Sequence, residues 1–448
     1  MFFLNKKITY RLNQNTIKQY LLAFAAGLSI GFGFIPVPVA GIIYVVLGGI
    51  CIFLAFQNDI GRLLSILPYM VFSEIFIRSK VSFIPYLFMQ YVLIAVFALM
   101  LLKQGTKVKM HSATFILLIL FCIMEYGNSI RSNDAIYARG LVTNTTVLTI
   151  VAIWSSFNIL RPSMVNKFLN NVKIAGIFLC GYALVRQFTG GNSYALVSSS
   201  EAVNGLAPVQ ISGYLGFSAI VFFFSIMDDA ERKNLLVNLI LFGVNTVTMV
   251  ISLSRGGAYF LGIIAALFFI INRKSVKYYG LFILIAIVGI AVYSYVSSET
   301  NGVIEERYGE QGSSGRDLLV KAGMDLFFQE PITGVGTGNF NTEIQKRNLY
   351  GEQSGAHNEF VRIAAEHGII GIITYWGFFI VLFLQVLSRS KKQREYALYF
   401  LVLFCLIIVH NGLKISVQPL ILMLVVATPS FISVKKTQHV QAVAKPAF

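Results

Sequence analysis

Charge is what this sequence has least of. Only 12% of its 448 residues are Asp, Glu, Lys or Arg, against 56% hydrophobic residues, and an ordinary soluble domain carries roughly twice that share of charge. A water-soluble fold is excluded on that ground. Acidic residues are scarcer than basic ones, 20 against 36, for a formal net charge of +16. In a soluble chain such an excess would suggest nucleic acid. Here the Lys and Arg are spread through short loops between apolar runs, where they set topology and meet anionic lipid headgroups. The four cysteines, Cys51, Cys122, Cys180 and Cys405, all fall inside apolar runs. They form no CxxC pair and no Cys/His cluster, which argues against a disulfide framework and a structural zinc site. Dyad alternation in short segments is also missing, so a membrane barrel is excluded. Internal repeats, low-complexity tracts and a separate soluble domain are absent as well. The N-terminal segment is basic and polar and its first apolar run is followed at once by another, so no cleavable signal peptide is expected.

Long apolar windows are present almost throughout. Each is read as a spanning helix, because about 20 residues at ~1.5 Å rise cross the ~30 Å hydrocarbon layer. The windows run over Tyr20–Ile35, a second ending near Phe56, a weaker one at Leu63–Ile77, then Ile84–Leu102, Ala113–Asn128, Gly140–Phe157, Lys173–Phe188 and Ala207–Met227. They continue at Leu235–Ser252, Gly257–Ile271, Tyr278–Val296, Ile369–Leu387, Tyr396–His410 and Ile415–Phe431. The expected fold is an all-α polytopic integral membrane protein with about 12–14 transmembrane helices. The Leu63–Ile77 window contains Pro68 and Glu74 and reads as a span, a re-entrant piece or an interfacial helix; Glu74 and Arg78 are spaced to pair.

With Lys6, Lys7, Arg11 and Lys18 ahead of the first span, the positive-inside rule places the N-terminus in the cytoplasm. Counting every window then puts Lys103/Lys107/Lys109, Arg161/Lys167, Arg232/Lys233, Arg273/Lys274/Lys277, Lys391/Lys392/Arg394 and Lys435/Lys436 on the same side. The same parity makes Ser297–His367, about 70 residues and the only large loop, extracytoplasmic. A smaller outer loop, Thr189–Gly205, is rich in Gly, Ser and Asn. The chain divides into N-terminal spans over 1–234, a core over 235–388 that includes the loop 297–367, and C-terminal spans with a basic tail over 389–448.

Three polar clusters converge on the outer face. The first, Ser252-Leu-Ser254-Arg255-Gly256-Gly257, separates two spans. An arginine there either snorkels to headgroups or lines a watery site, and the glycines permit close approach of a backbone or a ligand. The second opens with Ser313-Ser314-Gly315-Arg316-Asp317 and continues with Leu318, Leu319, Ala322 and Leu326 at helical spacing. Ser313 or Ser314 is placed to cap that helix, and Arg316 in its first turn opposes the dipole. That placement suggests a nearby anion, or a pair with Glu305, Glu306 or Glu310. After Pro331, the Gly334-Val-Gly336-Thr-Gly338 run is a tight loop with amides available to an anion. Its spacing is wrong for a dinucleotide fingerprint.

The third cluster is His357–Gly371, where the loop meets a span. Read as one helix, it places His357, Val361, Ala364 and Gly368 on one face and Asn358, Arg362 and Glu366 on another. A structural histidine is the ordinary alternative for His357, and His367 is the lesser candidate. His410, Asn411 and Lys414, between the last two spans, are further candidates for substrate contact.

The order of these clusters, Ser254-Arg255-Gly256-Gly257, then Gly315-Arg316 with Pro331 and Gly334-Val335-Gly336, then His357-Asn358 followed by Gly368-Ile-Ile-Gly371, resembles the bacterial O-antigen ligase superfamily over roughly Leu235 to Leu387. The superfamily also holds O-antigen and exopolysaccharide polymerases and protein O-oligosaccharyltransferases. The resemblance implies a GT-C-like fold in the bacterial inner membrane. It implies transfer of a glycan from undecaprenyl diphosphate, at the periplasmic face, to lipid A-core or to a growing glycan, with no cofactor, no metal and no nucleic-acid partner. Carried onto this chain, the family arginines fall on Arg255 and Arg316 and the family histidine on His357. Ser254, Gly256, Gly336, Asn358, Arg362, Glu366, His410 and Lys414 are expected to contact substrate. The chemistry fits: guanidinium groups hold a leaving diphosphate, and a neutral imidazole oriented by Asn358 or Glu366 takes the acceptor hydroxyl's proton, which inverts the anomeric centre. O-antigen ligation is the first expectation and polymerisation the second. A protein O-oligosaccharyltransferase and a polysaccharide transporter are more remote alternatives, and a transporter asks for Glu74 and Glu125 in one central cavity.

Overall fold

The computed structural model describes residues 14–104, 112–189, 194, 198, 200–228, 234–309, 315–349 and 355–427. Among them all regular structure is helical. The Ser313/Ser314 cap, the Glu310 pairing, the end of the last span near Phe431 and the basic positions Lys6, Lys7, Arg11, Lys107, Lys109, Arg232, Lys233, Lys435 and Lys436 lie outside the described residues.

Eight helices are long and apolar enough to cross a membrane, and six shorter apolar helices, including Leu235–Ile251, Gly256–Asn272 and Val417–Val426, accompany them. They coincide with the apolar windows read from sequence. In hydrocarbon every peptide group must find its partner within its own segment, and the helix does this without help. Proline marks several entries, at the first or second helical position of Val37–Gln57, Pro162–Ala183 and Pro208–Met227, where a missing N–H leaves nothing unsatisfied. The doubtful window is a full helix, Ile60–Lys80, that carries Pro68 inside it. Its polar groups explain its weak hydropathy. Glu74 accepts from Arg78 at 3.1 Å, Gln90 at 2.9 Å, the Tyr214 hydroxyl at 2.6 Å and the Ser416 amide at 3.2 Å.

The spans differ in what they bury. Pro208–Met227 is enclosed over most of its length and packs against Leu235–Ile251 and Gly256–Asn272, whereas Val276–Glu299 turns Phe282, Ile283, Ile287 and Ile290 outward. Above the bundle, Val303–Gly309, Arg316–Gln329 and Phe340–Lys346 make a small second layer. Leu319, Leu326, Phe340 and Ile344 form its apolar core together with Val361. Leu318, expected on the same stripe, is exposed. Gly323 lets the Val361 methyl approach so closely that a Cβ would sit 2.4 Å from it, and this seats Arg316–Gln329 on the Glu359–Gly371 helix.

The Glu359–Leu387 span is not straight. Gly368 leaves helical geometry at φ 59°, ψ −152°, and a π-helical turn follows at Ile372–Trp376. The Pro331–Gly338 loop fills the break. Val335 and Gly336 donate to the Ala365 and Glu366 carbonyls at 3.0 and 2.9 Å, and Ile369 donates to the Pro331 carbonyl at 2.8 Å. Those two amides therefore face carbonyls. This corrects the expectation that the glycine-rich loop presents them to an anion.

Candidate active site

The Ser252–Arg255 connection places the first arginine. Leu253 adopts a left-handed conformation at φ 53°, and Ser212 holds the turn by donating to the Ser254 carbonyl at 3.0 Å and accepting from the Gly257 amide at 2.8 Å. Glycine is required at 256 because a Cβ there would lie 2.1 Å from the His410 ring. Close approach is thus used to seat an imidazole. His410 Nδ1 accepts from Arg316 at 2.8 Å. A neutral ring that accepts at Nδ1 carries its proton on Nε2, so Nε2 donates to Ser254 Oγ, 3.3 Å away. His410 therefore joins the arginine of the outer layer to the serine of the span connection.

Arg316 enters this cluster from the first turn of Arg316–Gln329, and Arg255 from the N-terminus of Gly256–Asn272. Arg307, which sequence reasoning missed inside a Glu-Glu-Arg run, is the third member. It accepts Arg255 on its carbonyl at 3.3 Å, and its own Nε points to the Leu253 carbonyl at 3.5 Å. Burial, and then the neighbouring Arg255 and Arg307, holds Arg316 below its usual value. Burial and Arg255 do the same to Arg307. Arg307 and Arg316 are thus each held down by burial and by a guanidinium beside them.

His357 lies beside this cluster, but not on a helical face as the spacing suggested. It precedes the helix at φ 47°, and Asn358 is the N-cap, accepting from the Phe360 and Val361 amides. A side-chain cap there competes with the helical conformation that the spacing argument assumed. His357 Nδ1 is buried without a hydrogen bond among the described residues. Burial, followed by the positive charges of Lys414 and Arg316, pushes its pKa down to about 4, so the ring is neutral at pH 7.

Arg362 and Glu366 are placed differently. Arg362, 3% exposed, donates to Glu359 at 2.9 Å, to Glu366 at 2.6 Å and to Glu125 at 2.8 Å. Glu366, fully buried, also accepts the Phe340 amide at 3.1 Å. Its two oxygens are thus taken by Arg362 and by the outer layer, and Asn358 is taken by the helix end. Neither orients His357. Gly336 sits at the Gly368 end of the same helix, roughly 12 Å along its axis from Asn358. His367 is enclosed against Phe121, with Nδ1 3.1 Å from Asn128. His357 also lines a pocket with Tyr137, Asn358, Glu359 and Lys414 among others. Among the described residues no group of His, Cys, Asp or Glu side chains is arranged to hold a metal ion.

A polytopic helical membrane protein with a cationic cluster at the junction of its bundle and its one large loop defines the class. Residues 237–376 match the family model described as O-antigen ligase, and the match supports the O-antigen ligase superfamily named by the resemblance, a group of ligase- and polymerase-type membrane enzymes. No curated protein matches the chain.

Proposed function

We propose that this protein is a membrane glycosyltransferase that moves a glycan from undecaprenyl diphosphate to an acceptor hydroxyl at the periplasmic face of the inner membrane, with O-antigen ligation to lipid A-core as the first reading. The observation that carries it is the convergence of Arg255, Arg307 and Arg316 next to a neutral His357. The donor's diphosphate occupies the guanidinium cluster. As the sugar C1–O bond breaks, its electron pair moves to the phosphate oxygen, where the arginines stabilise the growing charge. The acceptor hydroxyl attacks C1 from the opposite side and gives its proton to the His357 imidazole, inverting the anomeric centre.

A base of pKa about 4 is weak, yet its weakness comes partly from Lys414 and Arg316. A bound diphosphate offsets those charges and raises the basicity of His357 when the donor is in place. Polymerisation, with a second carrier-linked glycan as acceptor, uses the same groups. The placement of Glu74 and Glu125 does not favour transport: each is closed inside its own hydrogen-bonded network, one with Arg78 and Tyr214, the other with Arg362.

The test is transfer by purified protein in detergent, with an undecaprenyl-diphosphate-linked oligosaccharide as donor and either lipid A-core or more donor as acceptor. Product on lipid A-core makes it a ligase, and lengthening of the carrier-linked glycan makes it a polymerase. Transfer to neither sinks the reading.

A further inference from the structure

We infer that Glu74 and Arg78 are positioning residues of the site, a role that rests on the transfer reading given above. The pair fixes the connection between the last two spans and, through it, His410 and the Arg316 guanidinium that His410 accepts. Glu74 and Arg78 lie in Ile60–Lys80, far outside the residues that match the O-antigen ligase model, and His410 lies outside them too. His410 sits in the last turn of Lys391–Asn411. From Gly412 to Ser416 the backbone then has no helical structure, until Val417–Val426 begins. Most of this connection is buried, and buried irregular backbone must find hydrogen-bond partners elsewhere.

Charged side chains supply those partners. Arg78 Nη1 donates to the Lys414 carbonyl at 2.9 Å and to Glu74 at 3.1 Å. Glu74 Oε2 accepts the Ser416 amide at 3.2 Å, and Glu359 accepts the Leu413 amide at 3.3 Å. Glu74 is held in turn by Gln90 at 2.9 Å and by the Tyr214 hydroxyl at 2.6 Å. Gly213, next to that tyrosine, lies so close to Asn411 that a Cβ would sit 2.7 Å from its amide nitrogen. The side chains of the pair are nearly inaccessible, 2% exposed for Glu74 and 8% for Arg78. Burying an acid and a base inside a span is costly, and a backbone turn could satisfy the same groups without charge. What the pair adds is a fixed position. Lys414 is four residues from His410, whose ring meets Arg316 at 2.8 Å and Ser254 at 3.3 Å. A displaced connection therefore displaces the imidazole, and with it the guanidinium that donates to it.

The experiment is a double-mutant cycle between Arg78 and His410 in the purified protein. It is read as the transfer rate and as the melting-temperature rise that inorganic pyrophosphate gives. Arg78→Met should lower kcat/KM about 10-fold or more and shrink the pyrophosphate shift, and Arg78→Lys should recover part of both. With His410→Ala already in place, Arg78→Met should cost less than about 2-fold further, because the residue through which it acts is gone. A pair that only held the bundle together would give losses that multiply with that of His410→Ala. Multiplied losses, or full transfer with an unchanged pyrophosphate shift in Arg78→Met, overturn the inference while the transfer reading stands. Should Arg78→Met fail to accumulate as folded protein, Arg78→Lys keeps a cation opposite Glu74 and takes its place in the cycle. Should His410→Ala leave no measurable transfer, the pyrophosphate shift decides. A wild-type protein that transfers to neither acceptor overturns both.

Discussion

Two arginine-centred clusters flank the start of the Glu359–Gly371 helix, and they are built on opposite plans. Arg362 is one guanidinium among three carboxylates, Glu125, Glu359 and Glu366, all nearly inaccessible. Arg255, Arg307 and Arg316 are three guanidiniums set against one another, with a histidine and a serine between them. The first joins a span from early in the chain to the 297–367 loop and surrounds its cation with carboxylates. The second brings guanidiniums within reach of one another, and burial together with those neighbours holds Arg307 and Arg316 below their usual values. Residue type is shared; the carboxylates around Arg362 make it a cation that holds the fold, whereas the arginine cluster is the one we propose receives the donor's diphosphate.

Breaking the two clusters should therefore give opposite signatures. Arg362→Ala strands three buried carboxylates and should cost about 3–5 kcal/mol, seen as loss of folded protein in detergent. Arg316→Ala or Arg255→Ala should cut transfer by about 100-fold or more, roughly 3 kcal/mol of transition-state stabilisation, with a much smaller loss of folded protein than Arg362→Ala gives. Equal loss of stability in both sets would erase the distinction. His357→Ala should abolish transfer in a protein of normal abundance.

The pH dependence sharpens the comparison. Imidazolium has no lone pair to accept a proton, so activity must fall as pH drops through the His357 pKa. The acid limb of kcat/KM, which reports the free enzyme, should lie near about 4. The acid limb of kcat should lie higher, because bound diphosphate offsets the cations. Coincident limbs would remove the coupling between cluster and base. A smaller effect is expected from inorganic pyrophosphate, which should raise the melting temperature of the wild type by binding the folded state, and not that of Arg316→Ala. Smallest is His367→Ala, whose ring packs on Phe121 away from the pocket and should reduce transfer only mildly. The reverse ranking of the two histidines would assign the base to His367.

The spans were legible because their signal is local: an apolar run of sufficient length has one stable form in lipid. The Glu74–Arg78 pair was legible for the same reason, being four residues apart on one helix. The site was legible in its residue types and less so in its arrangement. Arg316, His410 and Ser254 are far apart in the chain, and no spacing rule couples them. His357 looked helical by periodicity, but the asparagine cap beside it ends the helix first. Arg307 was missed because the two glutamates before it drew the reading, as partners offered to Arg316. The amides of the glycine-rich loop looked available because sequence shows a donor and not its partner.

Gly368 bears on how the 297–367 loop is attached. A Cβ at this residue would sit 2.5 Å from the Ile332 carbonyl oxygen, and one at Gly334 2.3 Å from the Glu366 carbonyl carbon. Two chain segments thus share one set of backbone bonds where the helix breaks, and the joint behaves mechanically as a weld. Grafting or lengthening the loop is ruled out at this end, and a bulky tag inserted between Pro331 and Gly338 should separate the loop from the span that carries His357.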